Sequence, residues 1–162
     1  REGDTMKCLI FSDSHGRWDY MERAVRAETP DRVIHLGDVV RDAGRLAEIF
    51  PDLEIQQVQG NCDGAGCGFP EERELFLDGR RLWLLHGHRY YVKMGLGMLV
   101  EEARVRGVDG VFFGHTHQPV CYLDGRLWVL NPGAIGGAAR SVTYGVMEIR
   151  DREMSCRTAV LF

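Results

Sequence analysis

Five short apolar runs in this sequence are each followed by a residue that can bind a metal ion. The runs lie near residues 9–11, 33–36, 55–58, 82–85 and 111–113. The residues that follow them are Asp13 with His15, then Asp38, Asn61, His86, and finally His115 with His117. Each cluster alone is a weak signal, because polar residues often end a strand. Five such clusters in order predict that a sheet delivers all these side chains to one edge, where ligands bind in open α/β sheets.

These side chains form an oxygen and nitrogen donor set without thiolates. The set contains two carboxylates, one amide and four imidazoles. Such donors suit Mn²⁺, iron or Zn²⁺ in a reactive site better than a cysteine-rich structural zinc site. Seven ligands exceed the needs of one tetrahedral ion, whereas two ions sharing a bridging carboxylate would use them all. We therefore expect two divalent metal ions as cofactors, with Mn²⁺ first and iron, Zn²⁺ or Ni²⁺ as alternatives.

Length and composition limit the classes of protein to consider. A chain of 162 residues is expected to form one domain, 1–162, with residues 1–5 as a short leader or cloning remnant outside the fold. The net charge of −4 disfavours an extended nucleic-acid surface or an anionic-membrane surface. No apolar stretch approaches the roughly 20 residues of a membrane span. Five irregularly spaced cysteines predict reduced thiols and a cytoplasmic protein.

The first half of the chain alternates between strand and helix patterns. We predict strands at 7–11, 32–36 and 54–58, with helices at 17–28 and 42–50 between them. This order predicts parallel strands joined by right-handed crossovers.

The second half favours hairpins. Leu-Asp-Gly-Arg occurs twice, and we expect turns at Asp78-Gly79 and at Asp124-Gly125, with a third hairpin around 150–152. A helix is predicted at 95–106 and a strand at 110–113. Two packed mixed sheets with outer helices fit this pattern.

The motifs together resemble a known family. Asp13-x-His15, Gly37-Asp38, Gly60-Asn61, His86 and Gly114-His115-x-His117 resemble the calcineurin-like metallophosphoesterases. More closely, Asp-Ser-His-Gly, Gly-Asn-Cys-Asp, His-Gly-His and Asn131-Pro132-Gly133 resemble the small bacterial and archaeal phosphodiesterases of the YfcE type. The resemblance runs from Lys7 to about Ile149. It implies an α/β fold, a four-layer αββα sandwich of two mixed β-sheets flanked by helices.

The resemblance also implies a role for each candidate ligand. It assigns Asp13, His15 and His117 to a first metal ion, Asn61, His86 and His115 to a second, and Asp38 to both. A water or hydroxide bridging the ions would attack phosphorus in line. Asp38, Asn61, His86 and His115 would thus be the catalytic residues of a dinuclear phosphoesterase acting on a small phosphoester.

Cys62 departs from the pattern of the wider superfamily. Many relatives have a histidine there, which is the usual candidate for protonating the leaving group. Our hypothesis is that the enzyme favours good leaving groups, or that another group such as His88 supplies the proton; a packing role for His88 is equally open. Asp63 is expected to brace the site loop. Arg140 is either a phosphate or substrate contact or a solvated loop arginine.

Other functions remain open at the level of the sequence. A phosphodiesterase is the leading interpretation. A phosphomonoesterase or nucleotidase is chemically accessible to the same site. A non-catalytic protein-interaction scaffold, like the retromer subunit of this fold, is a further alternative, although all seven ligand positions are intact here. A nuclease is disfavoured by the short chain and the negative charge. The sequence leaves the oligomeric state open, and the resemblance adds a homodimer or homotetramer as alternatives, since relatives often form them.

Overall fold

The computed structural model describes residues 5–136 and 141–162. In chain order the elements are β1 (Thr5–Phe11), α1 (Trp18–Glu28), β2 (Arg32–His35), α2 (Val40–Ile49), β3 (Glu54–Gln57), β4 (Glu72–Leu77), β5 (Arg80–Leu85), a 3₁₀ turn (His88–Tyr90), α3 (Gly97–Arg106), β6 (Gly110–Phe112), β7 (Pro119–Asp124), β8 (Leu127–Pro132), β9 (Thr143–Arg150) and β10 (Glu153–Val160).

The strands form two five-stranded mixed sheets. The first has the order β10-β9-β1-β2-β3, and the second has the order β4-β5-β6-β8-β7. Strands β1, β2 and β3 are mutually parallel, as the alternating first half of the sequence predicts. In the second sheet β5, β6 and β8 are parallel, while β4 and β7 are antiparallel hairpin partners at its edges.

The two sheets face each other across a buried apolar core. Ile10 and Ile34 of the first sheet meet Leu84 and Phe112 of the second there. Because side chains alternate along a strand, Leu9 and Phe11 on β1 face the other way, against α1 and α2. Helix α3 covers the outer face of the second sheet. The four-layer αββα sandwich is therefore confirmed.

The two Leu-Asp-Gly-Arg segments form turns in different registers. Asp78 and Gly79 both have positive φ and form the two-residue turn between paired Leu77 and Arg80, as type I′ requires. In the second copy Asp124 pairs with Leu127, so the turn residues are 125–126 and the expectation of Asp124-Gly125 was wrong. Strand β8 also pairs with β6, where Gly110 lies opposite Trp128, so its position depends on two neighbouring strands and not on the tetrapeptide alone.

Other differences are small. Thr5, which the sequence argument left outside the fold, begins β1 and pairs with Arg150 of β9. Helix α2 begins two residues earlier than predicted and α3 two residues later. The five cysteines are free thiols. Within 5–136 and 141–162, no helix is long and apolar enough to cross a membrane.

Candidate metal centre

The seven predicted ligands all follow the carboxyl ends of strands. Asp13 and His15 follow β1, Asp38 follows β2, Asn61 follows β3, His86 follows β5, and His115 and His117 follow β6. Hydrogen bonds connect the ligand loops at this edge, both within the second sheet and between the two sheets. The backbone N–H of Gly114 donates to the carbonyl of His86 at 2.9 Å, and that of His115 donates to Asp13 Oδ2 at 3.2 Å. The packing of the sheets therefore brings together loops that are distant in sequence.

Glycines allow these loops to approach closely. A Cβ atom on Gly37 would lie 2.5 Å from the backbone nitrogen of Gly60, so the loops after β2 and β3 touch through their main chains. A Cβ atom on Gly114 would lie 1.9 Å from Ser12 Oγ, beside the first ligand loop. Neither contact leaves room for a larger residue.

The ligand loops also adopt costly backbone conformations. Five of the seven predicted ligands have positive φ: Asp13, His15, Asp38, His115 and His117. Aspartate and histidine tolerate the left-handed region better than most residues, yet each such residue still costs about 1–3 kcal/mol. Strain of this kind concentrates at functional sites, because the surrounding structure holds it for a purpose other than stability.

Asp13 is the focus of the centre. Its Oδ1 atom lies 3.2 Å from Nε2 of His117, 3.7 Å from Nε2 of His86 and 4.0 Å from Nε2 of His15. The side chain is fully buried, and Oδ1 has no hydrogen-bond partner among the described residues. Its Oδ2 atom is satisfied by Ser12 Oγ at 2.6 Å. A buried carboxylate oxygen without a donor, facing three imidazole nitrogens, has the surroundings of a cation site.

The hydrogen bond of His86 fixes which of its nitrogens faces the centre. Nδ1 lies 2.8 Å from the carbonyl oxygen of Leu36, which can only accept, so Nδ1 carries the proton. In the neutral ring Nε2 then presents a lone pair, 3.4 Å from Asp38 Oδ2. This nitrogen is buried, and no described residue forms a hydrogen bond with it. Burial opposes protonation of His86, but Asp38 and Asp13 outweigh it and raise its pKa. A positive charge is favoured here.

Asp38 remains a carboxylate in this environment. Burial alone would raise its pKa, but His86 and the backbone N–H of Cys62, which donates to Oδ1 at 2.8 Å, hold that pKa below its ordinary value.

The pKa of His115 moves in the direction that suits a ligand. Burial and the nearby His86 lower it to about 4, so its imidazole is neutral at pH 7.

The donor atoms form two tight groups that share one aspartate. Asp13, His15 and His117 have donor atoms within 4.8 Å of one another, and so do Asp13, Asp38 and His86. Carboxylate and imidazole donors at this spacing fit a divalent metal ion. Among the predicted aspartate and histidine ligands, His115 lies outside both groups. The ring centre of His115 is 5.1 Å from that of His86, and Asn61 is an exposed residue next to Cys62.

Asp63 connects the second and third ligand loops. Its carboxylate accepts the backbone N–H groups of Asp38 at 2.9 Å, Val40 at 3.0 Å and Gly60 at 2.8 Å. The residue therefore braces the loops after β2 and β3 against each other.

The other residues predicted to contact the substrate or supply a proton are His88, Cys62 and Arg140. The ring of His88 lies 5.7 Å from that of His86 and 6.0 Å from that of His115, beside the centre. Cys62 is exposed, and desolvation together with Asp38 raises the pKa of its thiol to about 11. Arg140 lies outside the described residues.

A buried polar network behind the ligands escaped the sequence analysis. Gly37 N–H donates to His35 Nδ1 at 3.2 Å, so Nε2 of the neutral ring carries the proton and donates to Ser14 Oγ at 3.0 Å. The Ser14 hydroxyl donates in turn to Asp42 Oδ2 at 2.6 Å. Asp42 also accepts the N–H of Gly16. The loop carrying Asp13 and His15 is thereby tied to the loop carrying Asp38.

Asn131 supports the histidine pair in the same way. Its amide nitrogen donates to the carbonyl of Gly114 at 3.1 Å and to Thr116 Oγ1 at 2.9 Å, on either side of His115. Its Oδ1 atom accepts the N–H of Gly133 at 2.9 Å. The motif Asn131-Pro132-Gly133 was noticed in the sequence, but only the fold shows that it holds this loop.

Known proteins share this arrangement of the chain. The calcineurin-like phosphoesterase superfamily domain matches residues 6–152. A probable metallophosphoesterase from Mycoplasma pneumoniae is 34% identical over 135 residues, which cover 80% of this chain and 79% of that protein. Phosphodiesterase YfcE from Escherichia coli K12 is 27% identical over 168 residues, which cover 88% of each protein.

Solved structures agree with these matches. A phosphoesterase-like protein from Streptococcus pneumoniae TIGR4 superposes with a TM-score of 0.79 at 28% identity, covering 97% of this chain and 90% of that one. Vacuolar Protein Sorting 29 from Cryptosporidium parvum superposes with a TM-score of 0.76, covering 96% and 97% of the two chains. Its identity of 17% means that this second likeness shows the fold alone.

Metal binding at Asp13 is expected to stabilise the protein. At about one hundred times its Kd, a bound ion contributes about 2.7 kcal/mol, which raises the Tm of a chain of this size by roughly 5–10 °C. Mn²⁺ should give such a rise in a thermal melt, and a chelator should reverse it. Asp13→Asn should lose the rise, whereas Asp52→Asn, an exposed aspartate, should keep it. An equal rise in Asp13→Asn would contradict the assignment.

Ser14→Ala is expected to weaken the fold. The change leaves the buried His35 Nε2–H without its acceptor and removes a donor from Asp42, which costs about 1–3 kcal/mol. Urea unfolding measures the loss. Ser155→Ala on β10, where the serine is exposed, should change the free energy of unfolding by less than about 0.5 kcal/mol. Equal values for both variants would show that the network contributes nothing to stability.

Proposed function

Because this chain belongs to the calcineurin-like phosphoesterase superfamily, we propose that it is a phosphodiesterase that hydrolyses small phosphoesters with two divalent metal ions, Mn²⁺ first among them. One observation carries the proposal: the buried Asp13 Oδ1 has no donor within residues 5–136 and 141–162, and it faces three imidazole nitrogens. YfcE, which is 27% identical to this chain, is named a phosphodiesterase, and this name supports phosphodiesters as the substrate class.

In this proposal the seven ligands divide between the two ions. Asp13, His15 and His117 hold the first, Asn61, His86 and His115 hold the second, and Asp38 contacts both. The tight grouping of Asp13, His15 and His117 supports the first set. The 3.4 Å separation of His86 Nε2 from Asp38 Oδ2 supports a neighbouring position for the second. His115 and Asn61 then complete that position from the loops after β6 and β3.

The charges of the site explain how an acidic protein holds an anionic substrate. When bound, a pair of divalent ions lowers the pKa of a coordinated water and neutralises charge on the phosphoryl oxygens. Asp13 and Asp38 contribute two negative charges, and neutral histidines contribute none. With two divalent ions and these two carboxylates, the centre would carry a net charge of about +2. This positive charge would attract a phosphodiester despite the net charge of −4 on the chain.

Protonation of the leaving group is the weak step of this proposed mechanism. Cys62 stands where many superfamily members carry a histidine. Its thiol, with a pKa raised to about 11, gives up its proton reluctantly near pH 7. The site therefore favours diesters whose leaving alcohol is acidic enough to depart as an anion, such as aryl esters.

Removal of a ligand tests the catalytic assignment. Asp38→Ala and His115→Ala are each expected to lower kcat/KM for bis(4-nitrophenyl) phosphate in Mn²⁺ by at least roughly a hundredfold, because each removes a ligand of the proposed metal centre. Asp52→Ala serves as the control and should retain activity, and circular dichroism should show all variants folded. Full activity in Asp38→Ala or His115→Ala would make the assignment wrong. A metal-loaded wild-type protein inert on diesters and monoesters would favour a protein-interaction scaffold.

Cys62→His tests whether the site lacks a general acid that protonates the leaving group. The imidazole titrates near pH 7, so the variant is expected to hydrolyse esters of poor leaving groups, such as diphenyl phosphate, about tenfold faster or more, with a smaller gain on 4-nitrophenyl esters. Steady-state rates on both esters measure the difference. Cys67→His, in the same loop, should give no selective gain. If Cys62→His also gives none, leaving-group protonation does not limit the reaction.

A further inference from the structure

The metal centre is open, so recognition of the substrate's organic groups must come from the surface beside it. One cavity of about 1170 Å³ is lined by residues such as Met6, Arg32 and Arg80, and none of the seven ligands lines it. These residues begin parallel strands or follow the β4–β5 turn, so the cavity lies at the opposite edge of the sheets. It therefore does not serve the centre.

One exposed apolar segment borders the centre. It runs from Tyr91 to Met98, between the 3₁₀ turn and the first residues of α3, and we call it the site-edge segment. Val92 anchors it: this side chain is buried, and its Cγ2 atom lies 3.1 Å from the position that a Cβ of Gly87 would occupy. Gly87 directly follows the ligand His86. The segment is thus fixed against the ligand loop of β5.

The apolar side chains around Val92 face solvent. Met94, Met98 and Tyr91 are all exposed, the last by 63%. Tyr91 also has φ 53° and ψ 39°, a left-handed conformation that is a true outlier for a bulky residue. Its neighbour Tyr90 instead packs its ring edge-on against Trp83 at 5.2 Å. The fold therefore holds the Tyr91 ring in solvent at a backbone cost that burial does not offset, which is typical of functional positions.

The same segment carries positive charge towards the centre. The ammonium of Lys93 interacts electrostatically with the ligand His115, so Lys93 lies near the ligand set. Helix α3 begins within the segment, and its first N–H groups have no side-chain cap. The positive end of the helix dipole adds to Lys93. An apolar surface with positive charge at its inner side complements an ester that is both anionic and aromatic.

We infer that the site-edge segment binds a planar aromatic group of the diester substrate, an aryl ring or a nucleobase, by stacking it on Tyr91. Met94 and Met98 supply adaptable apolar contacts around that ring, and Lys93 stabilises the negative charge of the ester. The inference rests on the proposed phosphodiesterase function, and it names the substrate class as diesters with at least one aromatic substituent.

Two esters with the same leaving group test the inference. Bis(4-nitrophenyl) phosphate and methyl 4-nitrophenyl phosphate both release 4-nitrophenolate, so their ratio of kcat/KM reports recognition of the second substituent. Tyr91→Ala is expected to reduce this ratio about tenfold, the size of one stacking contact, whereas Tyr91→Phe should keep it. Phe76→Ala is the matched control, because Phe76 is an aromatic residue exposed by 67% beside the distant β4–β5 turn. It should leave the ratio unchanged.

Equilibrium binding separates this inference from the proposed function. In calorimetric titrations of the Mn²⁺-loaded protein, diphenyl phosphate should bind more tightly than dimethyl phosphate, and Tyr91→Ala should remove the difference. If the wild type hydrolyses neither ester, the proposed function fails, but this binding pattern would still support the aromatic site. Equal binding of the two ligands would overturn it.

Two further results would also overturn the inference. One is an equal loss of kcat/KM on both esters in Tyr91→Ala. The other is that Tyr91→Ala converts a dimer to a monomer in light scattering without changing the ester ratio. The segment would then be a contact between copies of the chain rather than a substrate surface.

Discussion

The rest of this structure depends on two buried carboxylates that face the same imidazole nitrogen. Asp13 and Asp38 both approach His86 Nε2, and Asp13 Oδ1 lacks a hydrogen-bond donor among the described residues. Burying two negative charges together is expensive unless a cation compensates them. The hydrogen bond of His86 Nδ1 to Leu36 orients the ring so that its lone pair adds to this electron-rich centre. The geometry therefore demands positive charge, which divalent metal ions would provide.

The backbone around the centre is arranged to hold the ligands in place before a cation binds. Left-handed residues, glycine contacts such as Gly37 on Gly60, and polar braces from Asp63 and Asn131 all act on the ligand loops. Each strained position costs stability, and the buried braces offset part of that cost. Rigid loops on the ends of two packed sheets limit how far the ligands can move. The proposed substrate surface differs from the ligand loops in its exposure, because the Tyr91 ring lies in solvent beside the centre.

Much of the fold was predictable from local patterns. The alternation of apolar strands and helices predicted β1, β2 and β3 as parallel neighbours, and Asp-Gly at 78–79 predicted its type I′ turn. The same tetrapeptide at 123–126 misled the prediction, because the position of β8 also depends on its pairing with β6, which is distant in sequence. The 3₁₀ turn after His86 also went unpredicted, since three residues offer no periodic pattern.

The sequence by itself determined which residue types stand at the strand ends, and so the oxygen and nitrogen chemistry of the site. Those positions are readable because strand ends and turns are local features. Only the tertiary structure decided how the aspartate and histidine ligands group: Asp13 belongs to both tight groups, while His115 lies outside them. It also decided that Ser14, His35 and Asp42 form one network, and that Tyr91 stands exposed at the site edge. The physical reason is that these relations join loops from two sheets, and the distance between such loops depends on packing across the core rather than on spacing along the chain.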